Sequence, residues 1–303
     1  MRLTKIRNSA ACFIAPYLKS FDPKKALIVS SDPRGGSTWL AETLFQIGGL
    51  SMIWEPLHIG KVKELNDLGF GYPQIIPEHV SNERLYYFFE SLFSGKLINM
   101  HLLQYSGIRS HYISNQLLFK FCRAGALLNW LINNFEFENK PIHLVRHPCA
   151  VIASQIKHGA WSDVDSQYVI PDLYSNSYIP YQHIINRIKT VEENLAFKWC
   201  INNHDLINND KIELVYFEDL FVNTEEVLKK LLKQWQTDIN SEIIKRSQSL
   251  SFTTKKTETD KIASQLDKWK YELSTDQIDN IMSILHQFNI KIYSADNVMP
   301  SNI

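Results

Sequence analysis

The sequence predicts an α/β fold with a mainly parallel central sheet. Three observations carry the prediction: short apolar runs alternate with helical periodicity, a Gly-rich loop joins the first run to the first helix, and the composition can bury a large core. Of the 303 residues, 45% belong to the AVILMFWYC class and 21% are charged, values of a globular chain and not of a disordered or fibrous one.

Taken in order, Ala26–Ser30 is an apolar run with the form of a strand buried on both faces. Beyond the loop, Leu40, Leu44 and Ile47, with Ala41 and Phe45 beside them, keep a 3.6-residue period, and Gly48-Gly49 supplies the stop. Leu117–Phe121 reads as a strand and Ala124–Asn134 as a helix. Pro141–Arg146 is the next strand, and Pro148 opens a helix to about Lys157. Lys211–Phe217 is the fourth strand. Asn223 and Glu226 then stand at capping-box spacing before an apolar face of Val227, Leu228, Leu231, Leu232 and Trp235. Ser274 and Gln277 form another such box ahead of Ile278, Ile281, Met282, Leu285 and Phe288. Pro56–Ser114 and His158–Gln182 lack clean periodicity and read as loops and short helices over the sheet, the places where a ligand or partner is usually recognised.

With no linker or repeat in sight, the chain divides into an N-terminal extension, 1–25, and one domain, 26–303. The extension carries Arg2, Lys5 and Arg7 before the six-residue apolar patch Ala10–Ala15. It reads as packed on the domain, with a cleaved or membrane-associated segment as the alternative. No run approaches the roughly 20 apolar residues of a membrane span.

Lys plus Arg and Asp plus Glu both count 32, so no net field draws in a nucleic acid, and any bound anion must meet a local cluster. Cys12, Cys122, Cys149 and Cys200 have neither metal-ligand spacing nor disulfide-scaffold density. They read as reduced thiols, which points to the cytoplasm.

Ser31–Leu40 is that local cluster. Two glycines let successive N–H groups point inward at a helix N-terminus, so a phosphate fits. The nucleotide-triphosphatase loop carries a Lys after its second Gly. Here the only cation is Arg34, before the glycines.

Pro33-Arg34-Gly35-Gly36-Ser37-Thr38-Trp39-Leu40 resembles the 5′-phosphosulfate loop of sulfotransferases that use 3′-phosphoadenosine 5′-phosphosulfate (PAPS), with Gly35 in place of the usual Ser. The resemblance implies a three-layer fold like that of the P-loop-containing nucleoside triphosphate hydrolases. It also implies that Arg34 and the Gly35, Gly36, Ser37 and Thr38 segment hold the phosphosulfate, with Trp39 near the adenine. The Gly35 departure is expected to cost one hydroxyl contact and nothing structural.

Val145-Arg146-His147-Pro148-Cys149-Ala150-Val151-Ile152-Ala153-Ser154 is similar to the family's 3′-phosphate motif, with His147 where Asp is usual and Cys149 where Arg is usual. Arg146 and Ser154 match it in type and spacing. Ser154 sits about 9 Å up a helix opened by Pro148, within reach of a phosphate shared with a long Arg side chain. Lys255 and Lys256, ahead of a Trp269–Leu273 element like the family's C-terminal one, are candidates for supplementary charge on that phosphate.

For the base, cytosolic small-molecule sulfotransferases place a His two residues after a strand Lys; here Lys120 is present and Cys122 stands at the His position. Ile53-Trp54-Glu55-Pro56-Leu57-His58 resembles the Glu-Pro element of the carbohydrate sulfotransferases acting on N-acetylglucosamine or galactose. Glu55 is therefore the expected general base, with Lys120 and Arg34 at the leaving oxygen and His58 or His101 as fallbacks. Glu218 and Asp219, in a segment similar to the family's Val-Arg-Tyr-Glu-Asp-Leu strand and turn, read as structural. The implied cosubstrate is PAPS with no metal required, and the partner a hydroxyl-bearing small molecule or carbohydrate. The alternatives are a catalytically inactive nucleotide-binding protein of this fold and a nucleotide-dependent kinase.

Overall fold

The computed structural model describes residues 19–159, 168–249 and 262–301. Five strands, β1 (Leu27–Ser31), β2 (Leu50–Trp54), β3 (Gln116–Phe121), β4 (Ile142–Val145) and β5 (Glu213–Tyr216), form one sheet in the order β2-β3-β1-β4-β5. All four pairings are parallel, as the alternation of runs and helices predicts.

The sequence reading counts four strands, and β2 is the correction. It is short, follows Gly48-Gly49 directly, and Ser51 interrupts its apolar run. Ser51 is nevertheless buried, its hydroxyl beside that of Ser106 at 3.3 Å.

Strand side chains alternate between the faces, and both faces are covered. Ile28, Ile53, Leu117, Phe119 and Phe121 pack into one core with α2 (Glu83–Phe93) and α3 (Leu128–Phe135). Leu27, Val29, Met52, Trp54 and Leu118 face α1 (Ser37–Leu44) and α7 (Thr224–Gln234). A third cluster joins α4 (Pro148–His158), α5 (Val191–Asn203) and α8 (Thr275–Gln287).

α2, inside the stretch read as aperiodic, is an eleven-residue helix with Leu85, Phe88, Phe89 and Leu92 buried on one face. α5 opens with a formed capping box, Thr190 with Glu193, as α8 does with Ser274 and Gln277. The box expected at Asn223 and Glu226 is not formed. A short helix, α6 (Phe217–Val222), runs directly into α7, so Asn223 has no free helix start to cap and Thr224 instead donates to the Leu220 carbonyl at 2.8 Å.

Residues 19–25 pack on the domain: Phe21 is buried and its N–H donates to the Ser94 carbonyl at 2.9 Å. Residues 1–18, which hold the rest of the extension and Cys12, lie outside the described residues. Among the described residues no helix is long and apolar enough to cross a membrane. Cys122, Cys149 and Cys200 are buried free thiols.

The strand order positions the site. β1 lies between β3 and β4, so the chain departs to opposite sides of it, and the loops at the carboxyl ends of β1, β3 and β4 stand side by side at one end of the sheet, where ligands of open parallel sheets usually bind.

Candidate active site

Residues beyond β1 make a tight turn into α1, with Gly36 at φ 102° as the N-cap. A Cβ there would stand 2.6 Å from the Phe217 ring, so only glycine fits. At Gly35 a Cβ would meet the Asp32 carbonyl at 2.9 Å and the Ser31 side chain at 3.1 Å. The loop closes over the missing side chain of Gly35, and the Ser31 hydroxyl takes the space, so the Ser of the resembled motif would not enter this turn without a shift. Ser37 is buried on the first turn of α1, Thr38 half-buried beside it, and the Trp39 indole N–H donates to the Ser249 carbonyl at 3.1 Å.

Arg34 adopts the left-handed backbone region, φ 72°, and carries its guanidinium to α4, where Nε donates to the Ser154 hydroxyl at 2.9 Å. Arg146, at the end of β4, donates to the Arg34 carbonyl at 3.3 Å and lies over the Phe217 ring, 4.3 Å from its centroid. Its Nε is buried without a hydrogen-bond partner among the described residues. Arg34, Arg146 and Ser154 thus converge, although Ser154 meets Arg34 where the spacing had paired it with Arg146.

The departures at 147 and 149 have local explanations. His147 caps α4 in the manner of an Asp: its Nδ1 accepts from the Cys149 N–H at 3.2 Å, and its Nε2 faces the Ser294 carbonyl at 3.1 Å. The ring stacks on Trp269 at 4.5 Å. Burial holds its pKa down to about 4, which keeps the imidazole neutral and Nδ1 free to accept. Cys149 is fully buried and supplies no charge. Glu218 is structural, accepting from the His147 N–H at 2.9 Å and the Tyr293 hydroxyl at 2.8 Å.

On the other side of β1, Glu55 follows β2 with φ 41°. Its Oε1 lies 2.6 Å from the Lys120 ammonium and its Oε2 3.1 Å from Arg123. Lys120 is paired in register with Trp54 on the neighbouring strand and lies over its indole, 4.7 Å from a ring centroid. It is 2% exposed, so its charge needs a partner. Burial would raise the Glu55 carboxyl, but the Lys120 ammonium, and after it the Arg123 guanidinium, outweigh burial and hold it down to about 2. Burial pulls Lys120 down, and its neighbours Cys122 and Glu55 carry it above its ordinary value.

Cys122 links the two halves. Its thiol is 3.6 Å from the Ser37 hydroxyl, 3.4 Å from Glu55 Oε1 and 2.9 Å from the Lys120 ammonium. His58 and His101 stand beside Glu55, their rings 5.4 Å apart, with His101 Nε2 3.4 Å from the Glu55 carbonyl. Burial is the main cause that lowers both imidazoles, with the Arg123 charge adding to it.

The two stretches read as recognition loops meet next to this carboxylate. Gln74 donates to the Leu173 carbonyl at 2.7 Å, the Tyr178 hydroxyl donates to the Pro73 carbonyl, and Arg123 lies 4.7 Å from the Tyr72 ring centroid. Sequence reading assigned no role to Arg123, though its position one residue past Cys122 was the available signal. Lys255 and Lys256 lie outside the described residues. Among the described residues no three His, Cys, Asp or Glu side chains are grouped so as to hold a metal ion.

No protein-family model and no curated protein matches the chain. Among solved structures it is similar to the sulfotransferase domain from the curacin biosynthetic pathway, at 17% identity over 88% of this chain and 97% of that one, TM-score 0.46. It is similar to mouse sulfotransferase SULT7A1 complexed with PAP, at 13% identity over 95% and 91%, TM-score 0.47. The sulfotransferase domain from the Synechococcus PCC 7002 olefin synthase is a third, at 16% identity over 88% and 96%, TM-score 0.45.

Proposed function

We propose that this protein is a sulfotransferase that moves a sulfuryl group from PAPS to a hydroxyl of a carbohydrate or other small molecule, with Glu55 as general base. The observation that carries the reading is the convergence of Arg34, Arg146 and Ser154 on one side of β1 and of Glu55 and Lys120 on the other, joined through Ser37 and Cys122. The buried Nε of Arg146, without a hydrogen-bond partner among the described residues, fits an anion between β4 and the loop.

In this reading the acceptor oxygen attacks sulfur as its proton passes to Glu55. The bond from sulfur to the 5′-phosphate oxygen breaks, and the electron pair leaves with 3′-phosphoadenosine 5′-phosphate (PAP). Charge grows on that leaving oxygen, where the loop N–H groups, Arg34 and Lys120 oppose it. A carboxylate held at about 2 is a weak base. Glu55 therefore becomes effective when the phosphosulfate draws Lys120 off Oε1, and the same event that supplies the sulfuryl group frees the base.

The tight Lys120–Glu55–Arg123 cluster is also the observation that favours the second reading, a nucleotide-binding protein without turnover. Incubation with labelled PAPS and a panel of sugar, peptide, phenol and aliphatic hydroxyl acceptors separates the two. Transfer to any acceptor supports the first; tight PAP binding with no transfer to the whole panel supports the second. Preference for ATP with magnesium over PAP points to a kinase and overturns both.

A further inference from the structure

The segment between β1 and the phosphate loop holds a carboxylate in a costly place. Asp32 is 5% exposed and stands against the last turn of α5. Oδ1 accepts from the Asn202 amide at 2.7 Å and Oδ2 from the Asn203 amide at 2.6 Å. Asn203 Oδ1 lies in turn 2.9 Å from His143 Nε2 on β4. A buried anion at a helix carboxyl end is disfavoured both by desolvation and by the helix dipole. Burial accordingly pushes the Asp32 carboxyl up to about 6, against the pull of the two amides. Stability of the fold gives no reason to keep a charge there.

What Asp32 touches through its backbone supplies the reason. Its carbonyl accepts the Gly35 N–H at 2.9 Å and the Ser31 hydroxyl at 2.8 Å, the two bonds that close the turn. The next carbonyl, of Pro33, accepts from Gln155 of α4 at 2.8 Å. The two carboxylate oxygens meet two amide donors, so both acceptors are used and the residue cannot rotate without losing one. Asn at this position sets an amide donor against another donor.

We propose that Asp32 is the positioning residue of the phosphate loop, hanging it on Asn202 and Asn203 of α5 so that its N–H groups are aimed before any anion arrives. Preorganisation of this kind lowers the cost of ordering the loop on binding. The inference rests on the nucleotide reading above for its consequence, but the anchor itself can be tested without any nucleotide.

The test is amide hydrogen exchange of residues 35–38 and of β4 in the ligand-free protein, with PAP affinity by calorimetry, for wild type, Asp32→Asn, Asn202→Ala and the swap Asp32→Asn with Asn202→Asp, which leaves the Asn203 bond to the Trp199 carbonyl in place. The single variants should speed loop exchange about tenfold or more while β4 exchange is unchanged, and weaken PAP by about tenfold. The swap, which restores a carboxylate opposite an amide, should recover most of both. Unchanged loop exchange, equal acceleration in loop and β4, or a swap no better than Asp32→Asn overturns the proposal. If Asp32→Asn does not fold, the milder Asn202→Ala decides by the same exchange criterion. Wild type that fails to bind PAP sinks the nucleotide reading, and the exchange results still decide the anchor.

Discussion

Lys120 and Glu55 form an ion pair at 2.6 Å in which the cation is almost wholly buried and the anion is pinned a second time by Arg123. Removing one member of a buried pair leaves the other without compensation, commonly at about 3–5 kcal/mol. The pair therefore couples the stability of the site to its chemistry.

Glu55→Gln deletes the basic carboxylate while keeping shape. Turnover should fall by about 10²–10⁴, with PAP affinity within a few-fold of wild type. Thermal unfolding should also drop, because Lys120 loses its counter-charge, and PAP should raise the midpoint more in the variant than in wild type. A variant that transfers sulfate at the wild-type rate moves the base elsewhere, with His58 and then His101 next to be replaced.

The pH dependence follows from the direction of the Glu55 shift. Its carboxyl lies below its ordinary 4.5, at about 2, so its contribution to stability is complete above the ordinary value and is lost as pH falls towards 2. For turnover, kcat/KM reports the free enzyme and kcat the ternary complex. In the proposed reaction the bound phosphosulfate shares Lys120, so the acid limb of kcat should lie at higher pH than that of kcat/KM. Coincident limbs in the two profiles contradict this account of how the base is freed.

Arg146→Ala removes a guanidinium that touches the loop through the Arg34 carbonyl and packs on Phe217. Calorimetry with PAP should register a loss of about 1.5–3 kcal/mol, the range for a charge-assisted contact. Equal affinity in variant and wild type means that the 3′-phosphate is held elsewhere.

Gly36→Ala tests the closure of the loop. The added methyl meets Phe217 at 2.6 Å and sits at φ 102°, so the loop must shift, at about 1–3 kcal/mol. Because Phe217 also supports Arg146, PAP binding should weaken beyond the change in global stability. Wild-type PAP affinity in Gly36→Ala would show that the turn tolerates a side chain.

Much of this was readable along the chain because it is local. The β1-loop-α1 unit is contiguous, and its strand, its glycine turn and the helix that follows are legible from spacing within one segment. Pro148 and the Ser274 and Gln277 box likewise act within one turn of helix, as sequence spacing implies. Tertiary structure decided whatever depends on which strands become neighbours. β2 lacks a clean apolar run, and its pairing with β3 brings Glu55 onto Lys120, turning two residues 65 positions apart into one ionic unit with a depressed carboxyl. It also set His147 as a helix cap, gave Arg34 the Ser154 hydroxyl and suspended Asp32 from α5. Each of these depends on burial and on partners supplied by distant segments, and hydrogen-bond satisfaction in a desolvated space is a property of the packed chain, not of any stretch of it.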